Sequence, residues 1–141
     1  MRAALSAALA LTAIAGVITA AHAAASINGR WTTKEKDGVV EISQCGATLC
    51  GRLVKYLKTP PGGVDQKDTK NPDKAKQSRK ILGIAVLYNL KADGDKYRGT
   101  IYDPRNGKSY RSVVYKQANG NLSVEGCVGP ICQKQVWTPG G

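Results

Sequence analysis

Four cysteines are the residues whose type and spacing speak most directly of chemistry. They form two matching pairs, Cys45-GATL-Cys50 and Cys127-VGPI-Cys132. Four thiolates can hold zinc, but structural zinc sites favour closer cysteine spacing and reducing compartments. Disulfides are the expectation, and of the three possible pairings geometry favours the two local ones. With Gly129-Pro130 as a two-residue hairpin turn, Cys127 stands opposite Cys132 in a non-hydrogen-bonded pair. That is the kind with the shorter Cα separation, at the low end of disulfide range. The same arithmetic with Ala47-Thr48 as the turn sets Cys45 opposite Cys50. Each bridge closes a small loop and contributes ~2 kcal/mol in the chain-entropy picture, so the cysteines staple hairpins.

Catalytic chemistry is poorly supplied. The single histidine, His22, lies in an apolar leader. Without it the chain has no Ser-His or Cys-His pair, no imidazole metal ligand and no histidine base. Asp, Glu, Lys and Tyr remain as acid–base groups, but no spacing suggests a carboxylate pair. The expectation is a non-enzyme with no catalytic residues, no metal and no cofactor. Asp103 belongs instead to a turn, Asp103-Pro104-Arg105-Asn106-Gly107-Lys108, where Asp caps, Pro presets φ and Gly tolerates φ > 0.

Residues 1–23 are read as a signal peptide. Arg2 gives a positive start, an apolar run extends from Ala3 to Ala21, and Ala21-His22-Ala23 is a small-x-small cleavage site. An uncleaved membrane anchor is the rival, weakened by the alanine content. The remaining segment, 24–141, has the length of a single domain, with no transmembrane span and an expected periplasmic or secreted location. Its charge is high: +11 for the whole chain, +10 once Arg2 is removed. Such a balance favours anionic partners, here an envelope polysaccharide or lipid head groups; export argues against nucleic acid.

The elements that must position these residues are short alternating strands broken by Gly, Pro, Asn and Asp. Eight are expected, near 28–35, 39–46, 49–57, 81–91, 96–103, 108–117, 121–128 and 131–138. Eight sequential antiparallel strands close into a barrel because closure removes both exposed edges. Register follows from the turns. In the last hairpin Glu125 faces Lys134 on the outer, cystine side, while Leu122–Trp137, Val124–Gln135 and Gly126–Gln133 point inward. Val114 faces Val124 across a three-residue loop, Ala118-Asn119-Gly120, ending in a bulge glycine. Ile101 faces Tyr110. A turn at Asp93-Gly94 makes Ile84, Val86, Tyr88 and Leu90 one inward row. A turn at Asp37-Gly38 sets Trp31 opposite Gln44 and Lys34 opposite Glu41, and the following hairpin sets Val40 opposite Lys55, a poor interior pair. The segment Lys58–Lys80, with seven basic and three acidic side chains, is an insertion or lid. Asn71-Pro72-Asp73 predicts a short helix over 72–77 across one barrel end; a solvated linker is the alternative.

An eight-stranded interior either fills with side chains or holds one small ligand. The candidate cavity residues are Trp31, Gln44, Tyr88, Tyr97, Tyr110, Gln133, Gln135 and Trp137. Gln133 and Gln135 are the sharpest of these. A buried, unpartnered amide costs about 1–3 kcal/mol, so they require Tyr hydroxyls, water or a ligand.

Taken together and in order, NGRWTT, QCGATLCGRL, DTKNPDKAKQSRKILG, YRGTIYDPRNGKSY, VEGCVGPIC and QVWT resemble an exported bacterial family, domain of unknown function 2147. The resemblance covers nearly all of 24–141 and implies a lipocalin-like barrel with a binding cavity. Gly29-Arg30-Trp31 is similar to the lipocalin G-x-W opening, in which the Trp plugs the closed end. This chain departs from many relatives at Arg79-Lys80, where they read Arg-Pro, and at Trp137-Thr138-Pro139, where they read Trp-Thr-Arg. The family supplies no agreed catalytic residues. The functional expectation is a carrier or sensor for a small amphipathic ligand; a basic envelope adaptor for an anionic component or partner protein is the alternative.

Overall fold

The computed structural model describes residues 3, 4, 6–18 and 22–141. The expected leader and its cleavage site fall partly outside these residues. Among the described residues no helix is long and apolar enough to cross a membrane.

Eight strands run β1 (Gly29–Thr32), β2 (Gly38–Cys45), β3 (Thr48–Tyr56), β4 (Ala85–Asp93), β5 (Lys96–Asp103), β6 (Lys108–Lys116), β7 (Leu122–Val128) and β8 (Ile131–Pro139). Each pairs antiparallel with the next, and β8 returns to β1 to close the barrel. That seam is short: Trp31 with Pro139 and Thr32 with Thr138. The chain enters and leaves at what we call the proximal end, with the β2–β3, β4–β5 and β6–β7 turns. The distal end carries the β1–β2, β5–β6 and β7–β8 turns and the long β3–β4 connection.

The C-terminal half has the expected register. Ile101 faces Tyr110, Val114 faces Val124, and Leu122, Val124, Gly126 and Cys127 face Trp137, Gln135, Gln133 and Cys132. Gly120 takes a positive φ of 88°, as the three-residue loop requires. Gly107 does so at 71°, and Asp103 accepts from the Arg105 backbone N–H at 3.0 Å. Burial pushes the Asp103 carboxyl up, but the Arg105 guanidinium and backbone N–H outweigh it and hold it below the usual carboxylate range.

Three hairpins depart from expectation. In β1–β2 the turn is four residues, Lys34 to Asp37, closed by Thr33 and Gly38 (Thr33 N–H to Gly38 C=O, 3.0 Å). Thr33 Oγ1 donates to Asp37 Oδ1 at 2.6 Å, and Lys36 carries the positive φ of 54°. Trp31 therefore faces Val40, not Gln44, and Glu41 faces Arg30, not Lys34. In β2–β3 the turn is Gly46-Ala47, because Gly46 supplies the left-handed residue (φ 67°). Cys45 faces Thr48, and Val40 faces Leu53. The expected Val40–Lys55 pair is thus removed, and a bulge after Val39 leaves Lys55 exposed. Both slips are even, so inward residues stay inward.

The third departure changes a face. β4–β5 turns at Gly94-Asp95, with Asp93 opposite Lys96, and a bulge lies between Tyr88 and Lys91. Asn89 sits there at φ 53°, a conformation Asn tolerates better than most residues. The bulge backbone lies over Gly99, where a Cβ would stand 2.6 Å from the Tyr88 carbonyl oxygen. One extra residue inverts the parity of β4 before it. Leu87, opposite Ile101, and Leu90 therefore point inward, while Tyr88, opposite Thr100, points outward. Ile84 lies before the strand and packs with Ile81 and Tyr102 in a separate apolar cluster. Of the expected inward row of Ile84, Val86, Tyr88 and Leu90, only Leu90 is a member of the buried inner cluster, and Val86 packs against its edge.

The insertion is ordered. Its helical piece is a single 3-10 turn, Lys74–Lys76, capped by Asp73 rather than by Asn71. Asn71 Oδ1 instead accepts from Asp73 N–H at 2.9 Å. Lys67 and Lys80 form an isolated bridge, which folds the segment back on itself at the distal end.

Candidate functional site: the distal half of the barrel interior

The inner face is not uniform. Towards the proximal end Ile27, Trp31, Leu90, Val114, Leu122, Val124 and Trp137 pack into one cluster and are almost wholly removed from water. Both indoles are satisfied there: Trp31 Nε1 donates to Ile27 C=O at 2.9 Å, and Trp137 Nε1 to Gln135 Oε1 at 2.8 Å. This plugs the proximal half, as the G-x-W opening implied. Side chains removed from water to this degree interdigitate as in a close-packed core.

Towards the distal end the same face opens. Leu53 and Ile101 pack against the edge of the cluster and, like Tyr110, are only half-buried, and Gly126 contributes no side chain. A Cβ built on Gly126 would lie 3.6 Å from Ile101 Cγ2 and 4.0 Å from Tyr110 Cβ, ordinary van der Waals contact. The row continues by register through Gln133, opposite Gly126, to Val128 and Ile131. Val128 is 66% exposed and Ile131 71% exposed. Large apolar side chains on an inward parity yet in water mark a rim. They stay exposed because β1 ends at Thr32, so the first half of β8 has a neighbour on one side only.

The eight cavity candidates divide accordingly. Trp31 and Trp137 belong to the plug. Gln135 is half-buried and holds the Trp137 indole, a structural amide rather than a free one. Tyr110 and Gln133 line the distal half; Gln133 is exposed, so it bears no burial penalty, and Asn106 Nδ2 donates to the Tyr110 hydroxyl at 3.1 Å. The structure joins Gln133 and Gln135 to neither Tyr97 nor Tyr110. Gln44 and Tyr97 meet at the proximal rim, in a shallow depression of about 320 Å³ with Leu49 and Lys91. There Gln44 Nε2 donates to its own turn at Gly46 C=O (2.6 Å). Tyr88 lies on the outer wall, its hydroxyl 3.4 Å from Ser109 Oγ.

Both cysteine pairs are bridged locally, Cys45–Cys50 with a Cα separation of 5.5 Å and Cys127–Cys132 with 4.0 Å. The second pair is directly opposed as expected; the first is offset, since Cys50 faces Ser43. Glu125 lies near Cys127 and Cys132, but bridged sulfurs offer no thiolate to a metal.

Sequence reasoning missed the hub that seats the insertion. Asp68 is fully buried. Its Oδ1 accepts from the Tyr102 hydroxyl at 2.5 Å, and its Oδ2 accepts from Asn71 Nδ2 at 2.9 Å and pairs with Arg79 at 3.0 Å. Burial, reinforced by the carboxylate beside it, pushes the Tyr102 hydroxyl up to about 12. Because Tyr102 points outward from β5, the insertion is fastened to the outer wall. Lys70 Nζ adds a bond to Arg105 C=O at 2.8 Å. Gly107 admits the close approach, since a Cβ there would strike the Lys70 carbonyl oxygen.

No curated protein matches the chain. A solved structure, protein HP1028 of Helicobacter pylori, described as belonging to the lipocalin family, superposes with a TM-score of 0.71. It covers 82% of this chain and 84% of its own at 22% identity, a likeness of fold. Residues 29–139 match the model of a family described as an uncharacterized protein conserved in bacteria, DUF2147, and the chain belongs to that family.

Proposed function

We propose that the protein is an exported, non-enzymatic carrier or sensor that takes a small amphipathic molecule into the distal half of its barrel. The observation that carries this reading is the gradient along the inner face, from a sealed apolar plug to half-buried Ile101, Tyr110 and Gly126 beneath an apolar rim of Val128 and Ile131. Apolar walls with a few polar groups, here Tyr110 and Gln133, are the usual make-up of a ligand site. Export is supported by the leader sequence and by the two bridges, which persist in oxidising compartments.

The test is native mass spectrometry of protein purified from its own host, wild type against Gly126→Leu. The added side chain projects between Ile101 and Tyr110, where the ligand is proposed to sit, so the co-purifying compound should be lost while the fold is kept. A compound retained by Gly126→Leu, or none in the wild type, would sink the proposal.

The envelope-adaptor reading keeps one specific observation. Lys67, Lys70, Lys74 and Lys76 have no carboxylate partner among the described residues. Retention on an anionic envelope extract should then fall steeply with salt, and more after charge reversal at these four than at Lys34. Salt-independent retention would remove this reading.

A further inference from the structure

One sizeable cavity lies not inside the barrel but beside it. A cleft of about 640 Å³ separates the insertion from the outer wall of β3 to β6. We propose that this cleft is a second binding site, for a small soluble organic anion, a carboxylate or phosphate bearing an apolar group. The site stands apart from the barrel interior and does not depend on the carrier reading.

The argument is one of charge left over after pairing. The insertion brings three acids; two are paired with cations and the third is engaged only by a backbone N–H. Asp65 pairs with Lys80 at 2.9 Å. Asp68 is saturated by Tyr102, Asn71 and Arg79. Asp73, on the cleft wall, turns its carboxylate to the Ala75 backbone N–H at 3.0 Å. Two cations on the cleft wall, Arg52 and Lys76, have no carboxylate within ion-pair distance among the described residues. Arg52 spends one N–H on Gly83 C=O at 3.3 Å, which braces the guanidinium against the chain entering β4 and leaves its other donors available. A guanidinium and an ammonium on opposite walls suit a carboxylate or phosphate, with charge-assisted bonds from both sides. The Tyr88 and Ser109 hydroxyls add neutral donors beside them. Ile84, buried in the cluster below, offers an apolar surface for the rest of the ligand. The Asp68 hub holds the insertion at a fixed standoff from the wall, so the cleft is formed before anything binds.

The experiment is an NMR titration of the purified chain with benzoate, with benzyl alcohol as its neutral counterpart. Benzoate should give saturable shifts at Arg52, Lys76, Tyr88 and Ser109, with a Kd of about 1 mM or tighter, and benzyl alcohol should bind about tenfold more weakly. Arg52→Gln and Lys76→Gln should each weaken benzoate about tenfold, whereas Lys116→Gln, removing equal charge on the far part of β6, should leave it unchanged. Equal binding of benzyl alcohol, equal weakening by Lys116→Gln, or shifts that rise without saturating would each overturn the assignment. Gly126→Leu should not affect this titration, so loss of the barrel ligand and loss of the cleft ligand are separable results.

Discussion

The barrel interior and the cleft beside it are built from opposite chemistry by the same strands. On the inner faces of β4 to β8, Leu87, Val114, Leu122 and Val124 have lost all contact with water, and the stability they bring scales with apolar area. On the outer faces of β3 to β6, Arg52, Tyr88, Tyr102 and Ser109 meet an insertion whose contact is organised by one buried carboxylate. The first region is tolerant of polar error nowhere but at its rim. The second is largely polar, over a small apolar cluster of Ile81, Ile84 and Tyr102, and holds its shape by directed bonds. Stability and exposed surface are therefore separable here: the plug holds the fold together, while the rim and the cleft leave side chains uncovered.

The sharpest test of that contrast is Asp68→Ala. It leaves Arg79, Asn71 and the Tyr102 hydroxyl without their common partner, and disruption of a buried pair costs about 3–5 kcal/mol. The loss should be local: hydrogen exchange and proteolysis should open 58–84 while the amides of β5 to β7 stay protected. Equal loss of protection in the strands would show that barrel and insertion are one cooperative unit. Leu87→Ala is the converse, expected to cost about 2–5 kcal/mol and to lower protection throughout the barrel; a loss confined to the insertion would contradict the placement of Leu87.

Tyr102 gives a smaller, pH-dependent effect. Its hydroxyl is raised from 10.0 to about 12, so the folded state favours the protonated form. The stabilisation is complete below pH 10 and is lost as pH rises through 12, on the order of 2 kcal/mol in all. Urea unfolding between these pH values should show this decline in the wild type, and Tyr102→Phe should be weaker at neutral pH and flatter above pH 10. Parallel profiles for the two proteins would break the link between Tyr102 and Asp68. The smallest change is Gln135→Leu, which removes the acceptor of the Trp137 indole and should lower stability by about 1 kcal/mol. Unchanged or raised stability would mean that Gln135 is not needed by the plug.

Residue pattern and turn chemistry alone determined the strand number, the barrel, the C-terminal register and both disulfides. Hairpins are local, and Pro104, Gly107, Gly120 and the Gly129-Pro130 turn each restrict the chain in ways that no distant contact needs to supply. Three things were decided only in the folded molecule. The Asn89 bulge depends on Gly99 across the ladder, so the outward face of Tyr88 is invisible within β4 itself. The Thr33–Asp37 bond overrode an Asp-Gly turn that composition favoured. The role of Asp68 rests on Tyr102, 34 positions away. Nothing in DTKNPD distinguishes an acid in water from one at the centre of three partners, because burial of a charge is a property of what packs around it.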